Sequence, residues 1–132
     1  MQKGQSMVEF ALVVPFFVFI FLMISYMGLL FLDYLTFSDI ARSSAREAAL
    51  GGTAQYETIR SKYISAYNNG DLAHTHLYEW GSFTIQDADS SEMADAVQVK
   101  IELDLNQKND YMVSMGLPDK LTINYSMHKE TQ

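Results

Sequence analysis

The hydrophobic positions are distributed unevenly along the chain. From Phe10 to Leu32, about 23 consecutive residues carry no charge, and a helix of that length can cross a hydrocarbon core of about 30 Å. After Leu32 the apolar and small residues become periodic and fall on one helical face: Phe37, Ile40, Ala41, Ser44, Ala45 and Ala48. The pattern predicts one long helix, first membrane-spanning and then amphipathic, that ends near Leu50 at Gly51-Gly52.

A second, shorter helix is predicted from about Ala54 to Tyr67. Its apolar and aromatic residues fall on one side, namely Tyr56, Ile59, Tyr63, Ala66 and Tyr67. The sequence Asn68-Asn69-Gly70 then supplies a stop. An aromatic stripe of this kind could form a carbohydrate platform, but its helical spacing favours packing against a core.

Strict alternation of apolar and polar residues predicts two half-buried strands, Val97–Leu105 and Leu121–His128. A third, shorter strand is predicted around Phe83 and Ile85. The expected fold class is therefore α+β, with a small antiparallel sheet covered on one face by the long helix and the second helix.

Charge separates the two parts of the chain. The 132 residues carry a formal net charge of −7, and only Lys3 and Glu9 are charged before Asp33, which follows the apolar run. The single base on the short side predicts a cytoplasmic N-terminus, with the residues after about Asp33 outside the cytoplasm. The acidic remainder argues against nucleic acid as a partner, and the lack of cysteine excludes disulfides and thiolate chemistry.

No nucleotide-binding or hydrolase motif is present in the sequence, so we expect a protein that is not an enzyme and has no cofactor. Two short patterns are compatible with metal ligands, the pair His74 and His76 and the acidic group Asp87, Asp89 and Glu92. Both lack a complete ligand set, so we expect no metal site and interpret the acidic group as a solvated turn.

The N-terminal residues resemble a known kind of precursor. Gly4, Gln5-Ser6-Met7-Val8, Glu9 and an unbroken apolar run form the pattern of type IV pilin-like chains that a prepilin peptidase cuts after the glycine. The continuation Val8-Glu9-Phe10-Ala11-Leu12-Val13-Val14-Pro15 resembles the opening of the TadE-like family of the tight adherence (Flp) pilus system, with both TadE and TadF types open. The stretch from Ile40 to Ala49 resembles its second block, and Leu121 to Glu130 its closing strand.

The resemblance implies a domain organisation and a set of partners. Residues 1–4 would be a leader peptide, 5–32 the transmembrane part of the helix, 33–50 its extramembrane continuation, and 53–132 an extracytoplasmic α+β domain with a pilin-like arrangement. The partners would be the prepilin peptidase, a sister pseudopilin, the major Flp pilin, the inner-membrane assembly platform and membrane lipid. The chain would then be a minor pilin in the cytoplasmic membrane or in a pilus.

Glu9 has a physical reason to lie at the apolar boundary. Cutting after Gly4 makes a new α-amine on Gln5, and a carboxylate on a neighbouring helix can neutralise that amine. Alternatively, Glu9 merely complements the positive end of the helix dipole, an effect of about 0.3 to 1 kcal/mol. Pro15 predicts a kink in the membrane-spanning part. The alternative function is an uncleaved, signal-anchored binding or adhesion domain.

Overall fold

A computed structural model describes residues 2–72, 75–88, 95–106, 113–114 and 116–129, with side chains from Gly4 onward. Within these ranges the chain forms two α-helices and three strands. They are α1 (Gln2–Gly51), α2 (Tyr56–Asn68), β1 (Tyr78–Asp87), β2 (Ala96–Leu105) and β3 (Lys120–His128), with a short 3-10 turn over Thr53–Gln55 before α2. The predicted α+β class is confirmed.

The long helix α1 is continuous for 50 residues and has two halves of different character. Every side chain from Gly4 to Ser25 is exposed. In the second half, the face predicted from the periodicity is buried at 0 to 5% exposure: Phe37, Ile40, Ala41, Ser44, Ala45 and Ala48. The helix ends at Gly51, and Gly52 follows with a φ of 72°, which a residue with a side chain adopts at a cost.

The second helix also agrees with its prediction. It begins two residues later than expected, after the 3-10 turn, and ends at Asn68, where Gly70 has a φ of 76°. Its predicted apolar side is the side turned inward, with Ile59 buried and the tyrosines partly buried. Glu47 of α1 holds α2 through Lys62 Nζ at 2.7 Å and the hydroxyl of Tyr63 at 3.3 Å.

The three strands form an antiparallel sheet in the order β1-β2-β3. β2 and β3 match the predicted alternation, and Val97, Val99, Ile101 and Leu103 are all 0% exposed. β1 is longer than predicted, because the alternating pattern is interrupted between Trp80 and Ser82, where the register shifts by one residue.

Gly81 is the extra residue of this β-bulge. A Cβ atom added there would lie 2.8 Å from the backbone oxygen of Glu102 and 2.7 Å from the carboxylate of Asp104. The bulge places Trp80 on the same side of the sheet as Phe83, with the two ring centroids 5.3 Å apart. Trp80 also contacts Phe37 of α1 at 5.6 Å, so the bulge adds an aromatic ring to the core.

The core lies between the sheet and the second half of α1. Contacts at the two ends of the sheet show how the strands are oriented along the helix. The start of β1 binds Asp33 of α1 through Leu77 and Tyr78. At the other end, Ala48 and Ala49 pack with Val97, the second residue of β2. The strands therefore run alongside residues 33 to 49 of α1, and we call the end near Asp33 the Asp33 end of the sheet.

Candidate functional site

The N-terminal processing residues lie on the first turns of α1. Gly4 and Glu9 are exposed, and a Cβ atom added to Gly4 would meet nothing within 4 Å. Gln5 and Glu9 are four residues apart and therefore share one face of the helix. In the described part of the chain no ion pair involves Glu9.

The apolar surface that follows is continuous with these residues. α1 is long and apolar enough to cross a membrane, and none of its most apolar 18-residue window is buried within the protein. Full exposure distinguishes this half from the core helix of a soluble domain, whose apolar face is covered by its own chain. The exposed half of α1 fits a single-pass membrane anchor.

Pro15 lies inside this anchor. The helix continues through Pro15 without interruption, although proline donates no backbone hydrogen bond to the preceding turn. The predicted kink at this residue stays a prediction.

Asp33, at the end of the apolar run, has a role that the sequence analysis missed. The residue is 0% exposed, and its side chain accepts backbone hydrogen bonds from three consecutive residues that lead into β1. The Leu77 and Tyr78 amides donate to Oδ2 at 2.7 and 3.1 Å, and the His76 amide donates to both oxygens, at 3.0 Å to Oδ1 and 3.1 Å to Oδ2. The imidazole Nδ1 of His76 is 3.6 Å from Oδ1. We call this arrangement the Asp33 clasp.

The hydrogen bonds of the clasp offset the free-energy cost of burying a carboxylate beside apolar residues. An isolated buried carboxylate is costly, whereas one that accepts several backbone N–H groups is stabilised by charge-assisted hydrogen bonds. Asp33 lies four residues before Phe37 and seven before Ile40, so the same periodicity that predicts the core face of α1 includes it. That spacing is the signal that could have identified Asp33 from the sequence.

Tyr78 extends the clasp toward the loop before β3. Its hydroxyl donates to the backbone oxygen of Pro118 at 2.7 Å, and its side chain is almost fully buried. Burial, together with the negative charges of Asp33 and Asp119, raises the pKa of the Tyr78 phenol above its usual value. The Asp33 end of the sheet is thus held by polar contacts from α1, β1 and this loop.

A second polar contact closes the opposite end of the sheet. The carboxylate of Asp87 accepts hydrogen bonds from the Tyr56 hydroxyl at 2.6 Å and from Lys129 Nζ at 2.8 Å. These contacts lower the pKa of Asp87, the Lys129 contact most, while burial and the contact with Asp87 raise the pKa of Tyr56. Asp87 therefore joins β1 to α2 and to the end of β3.

Burial and the neighbouring Glu47 carboxylate raise the pKa of Tyr63 to about 12. The hydroxyl therefore stays protonated at neutral pH, as its hydrogen bond to Glu47 requires.

The candidate metal patterns are only partly visible in the structure. His74, Asp89 and Glu92 lie outside the described residues, and Asp87 is already bound to Tyr56 and Lys129. Within the described ranges no group of three or more histidine or acidic side chains could hold a metal ion. The expectations that the protein has no metal and is not an enzyme stay predictions.

The exposed apolar half of α1 fits a single-pass membrane anchor, and the second half of α1 together with α2 and the three strands forms a small α+β unit, which we call the head. Comparison with protein families then gives a match to the TadE-like protein family over residues 4–46, from the candidate cleavage-site glycine to Arg46. The resemblance to this family is confirmed for that segment, and it indicates a minor-pilin-like role associated with the Tad pilus. Neither the curated proteins nor the solved structures give a match.

Proposed function

We propose that this protein is a pseudopilin, or minor pilin, that acts in the assembly or initiation of a tight adherence pilus. The observation that carries the proposal is the register of Gly4 and Glu9 with the exposed apolar surface of α1, inside the segment that matches the TadE-like family. An anchor with no assembly role needs the apolar surface but has no need for a carboxylate at a fixed distance after a glycine.

The first step of the proposed function is hydrolysis of the peptide bond between Gly4 and Gln5 by a prepilin peptidase. The bond lies within the first turn of α1, which begins at Gln2, and helix ends open more easily than helix interiors. The exposed glycine places no side chain against the enzyme. Hydrolysis removes residues 1–4 and leaves a new α-amine on Gln5.

The second step is the association of processed helices. In the bilayer a free amine and a free carboxylate near the apolar boundary are each costly, and pairing them lowers that cost. Glu9 lies about 6 Å along the helix from Gln5, so pairing with a neighbouring amine shifts two parallel helices by about one turn. Glu9 would in this way set the axial register between subunits.

The proposed function also implies a location and a set of partners. The N-terminus lies in the cytoplasm, the anchor in the cytoplasmic membrane, and the α+β head outside the cytoplasm. The partners are the prepilin peptidase, a sister pseudopilin, the major Flp pilin and the inner-membrane assembly platform. Leaving the bilayer is tolerable for the apolar surface of α1 only where other helices cover it, which supports a site within a helical assembly.

Processing is tested by the intact mass and the N-terminal sequence of the protein from its native membrane, with and without active prepilin peptidase. We expect a chain that begins at Gln5 only when the peptidase is active. A Gly4→Leu variant provides the control, because it should remain uncut in the presence of the enzyme. If residues 1–4 remain under both conditions, the protein is an uncleaved, signal-anchored domain and the proposal fails.

The role of Glu9 is tested by Glu9→Gln, which removes the charge and keeps the shape. We expect normal membrane insertion and a loss of piliation, because the new amine then lacks its partner. Asp39→Asn is the matched control, since it removes one exposed carboxylate from the same helix outside the apolar segment. Normal piliation in Glu9→Gln would contradict the proposed pairing.

A further inference from the structure

The apolar surface of α1 continues past the point where the head begins. Four apolar residues around the level of Asp33 are 43 to 60% exposed on the helix: Phe31, Leu32, Tyr34 and Leu35. Three residues that precede them are partly buried against the core of the head, namely Tyr26, Leu29 and Leu30. The head therefore overlaps the apolar segment, covering one side of it and leaving the other side open.

The loop before β3 carries a fifth exposed apolar side chain. Val113 is 42% exposed, and its backbone oxygen accepts a hydrogen bond from Gly116 at 3.0 Å. Leu117 packs on the core, and the next residue, Pro118, binds the Tyr78 hydroxyl. Because Tyr78 begins β1 and Lys120 begins β3, the loop that carries Val113 joins the sheet at its Asp33 end.

Helix geometry relates this level to a bilayer. Twenty helical residues cover about 30 Å, the thickness of a hydrocarbon core. The charge of Glu9 places the inner boundary near Phe10, so the outer boundary falls near Leu29. That position lies within the stretch where the head already contacts α1. The head is thus too close to the anchor to stand clear of the membrane surface.

We propose that the Asp33 end of the head is a lipid-contacting surface, formed by a collar of Phe31, Leu32, Tyr34, Leu35 and Val113 that lies in the interfacial layer of the bilayer. Aromatic residues such as Tyr34 are typical of this layer, where a ring meets apolar chains and a hydroxyl meets water. The inference depends on the anchor and not on the pilus role.

The Asp33 clasp makes this position possible. A carboxylate at the level of the collar would otherwise face the apolar layer, but its oxygens are turned inward and accept backbone N–H groups. The charged side chains at this end of the sheet include three exposed acids, Glu79, Asp104 and Asp119, and one exposed base, Lys120, whose Nζ is 3.6 Å from Asp104. The excess of acids disfavours anionic headgroups, so the collar fits the boundary of a zwitterionic lipid layer.

The absence of cysteine allows the collar to be tested with single labels. The full chain is reconstituted in phosphatidylcholine vesicles as Leu35→Cys and as Val113→Cys, each labelled with an environment-sensitive fluorophore. Thr84→Cys, on an exposed position of β1, is the aqueous control, and Phe21→Cys is the membrane reference. The emission of Trp80 checks that each variant keeps its fold.

We expect both collar labels to be quenched by spin-labelled lipid and to be several-fold less accessible to iodide than the Thr84 label. The same result is expected at a large excess of lipid, where chains are isolated. Iodide access equal to that at Thr84 would overturn the proposal. Shielding that disappears on dilution in lipid would also overturn it, because a second copy of the chain would then be the occupant of the collar.

Discussion

Replacing Asp33 by asparagine tests whether the clasp holds the head on the helix. An asparagine of the same shape can keep one oxygen at the position that binds the Leu77 and Tyr78 amides, at 2.7 and 3.1 Å. Its NH2 group then replaces Oδ1 beside the His76 amide, which donates and keeps only its second hydrogen bond, to the Oδ2 position at 3.1 Å. The bond to Oδ1 is lost and the bonds to the Oδ2 position lose the charge of their acceptor, which should lower the free energy of unfolding of the head by about 1.5–3 kcal/mol.

Asp33→Ala removes every acceptor and leaves three backbone N–H groups without their partner, so we expect a larger loss of about 3–5 kcal/mol. Against a typical domain stability of about 5–15 kcal/mol, such a loss is easily measured. The assay is denaturant unfolding of the full chain in micelles, followed by the fluorescence of Trp80, the single tryptophan. Hydrogen exchange at Leu77 and Tyr78 locates the effect at the start of β1.

Asp39→Asn is the control for the clasp, because Asp39 is an exposed acid of the same helix. Its side chain forms no hydrogen bond or ion pair within the described ranges, and its replacement should change stability by less than about 0.5 kcal/mol. If Asp33→Asn were as stable as Asp39→Asn and kept the slow exchange of both amides, the clasp would contribute nothing and the argument would be refuted.

Two further substitutions test the sheet. Gly81→Ala should destabilise the head by about 1–3 kcal/mol, because the new Cβ would lie 2.8 Å from the backbone oxygen of Glu102, and the emission of Trp80 should shift as the bulge relaxes. Unchanged stability and emission would show that the bulge does not depend on glycine. Asp87→Asn should cost about 0.5–1 kcal/mol at neutral pH, since Asp87 is 47% exposed and solvent screens its pairing with Lys129. Because folding lowers the pKa of Asp87, its contribution to stability is present above about pH 3.8 and disappears as the pH falls through the pKa of the folded state. A difference in stability between wild type and Asp87→Asn that persists in acid would contradict this.

The sequence predicted well those elements whose period is regular. The buried face of α1 follows a period of 3.6 from Phe37 to Ala48, and β2 alternates without interruption, so pattern and packing agree. β1 was predicted too short because the Gly81 bulge breaks its alternation. An interpretation based on period two places Trp80 on the outer face, whereas the bulge turns it inward.

The candidate site was predictable only where it is local in sequence. Gly4 and Glu9 belong to one contiguous motif, and the family match covers that motif. The Asp33 clasp joins residues 43 to 45 positions apart. Its donors are backbone amides, which any residue type except proline provides, so the sequence does not reveal them. From the sequence alone, Asp33 was interpreted only as the first charged residue after the apolar run.

The continuity of α1 has a mechanical consequence. Fifty residues of helix make a rod of about 75 Å, and roughly its C-terminal half, from Tyr26 to Ala49, is attached to the head through the core and Asp33. An axial pull on the anchor therefore displaces the head by the same distance, because the helix and the head move as one body. Because Pro15 donates no backbone hydrogen bond to the preceding turn, we expect the helix to bend more easily at Pro15 than elsewhere in the anchor. Sideways strain would then be absorbed at Pro15 while axial force reaches the head undiminished.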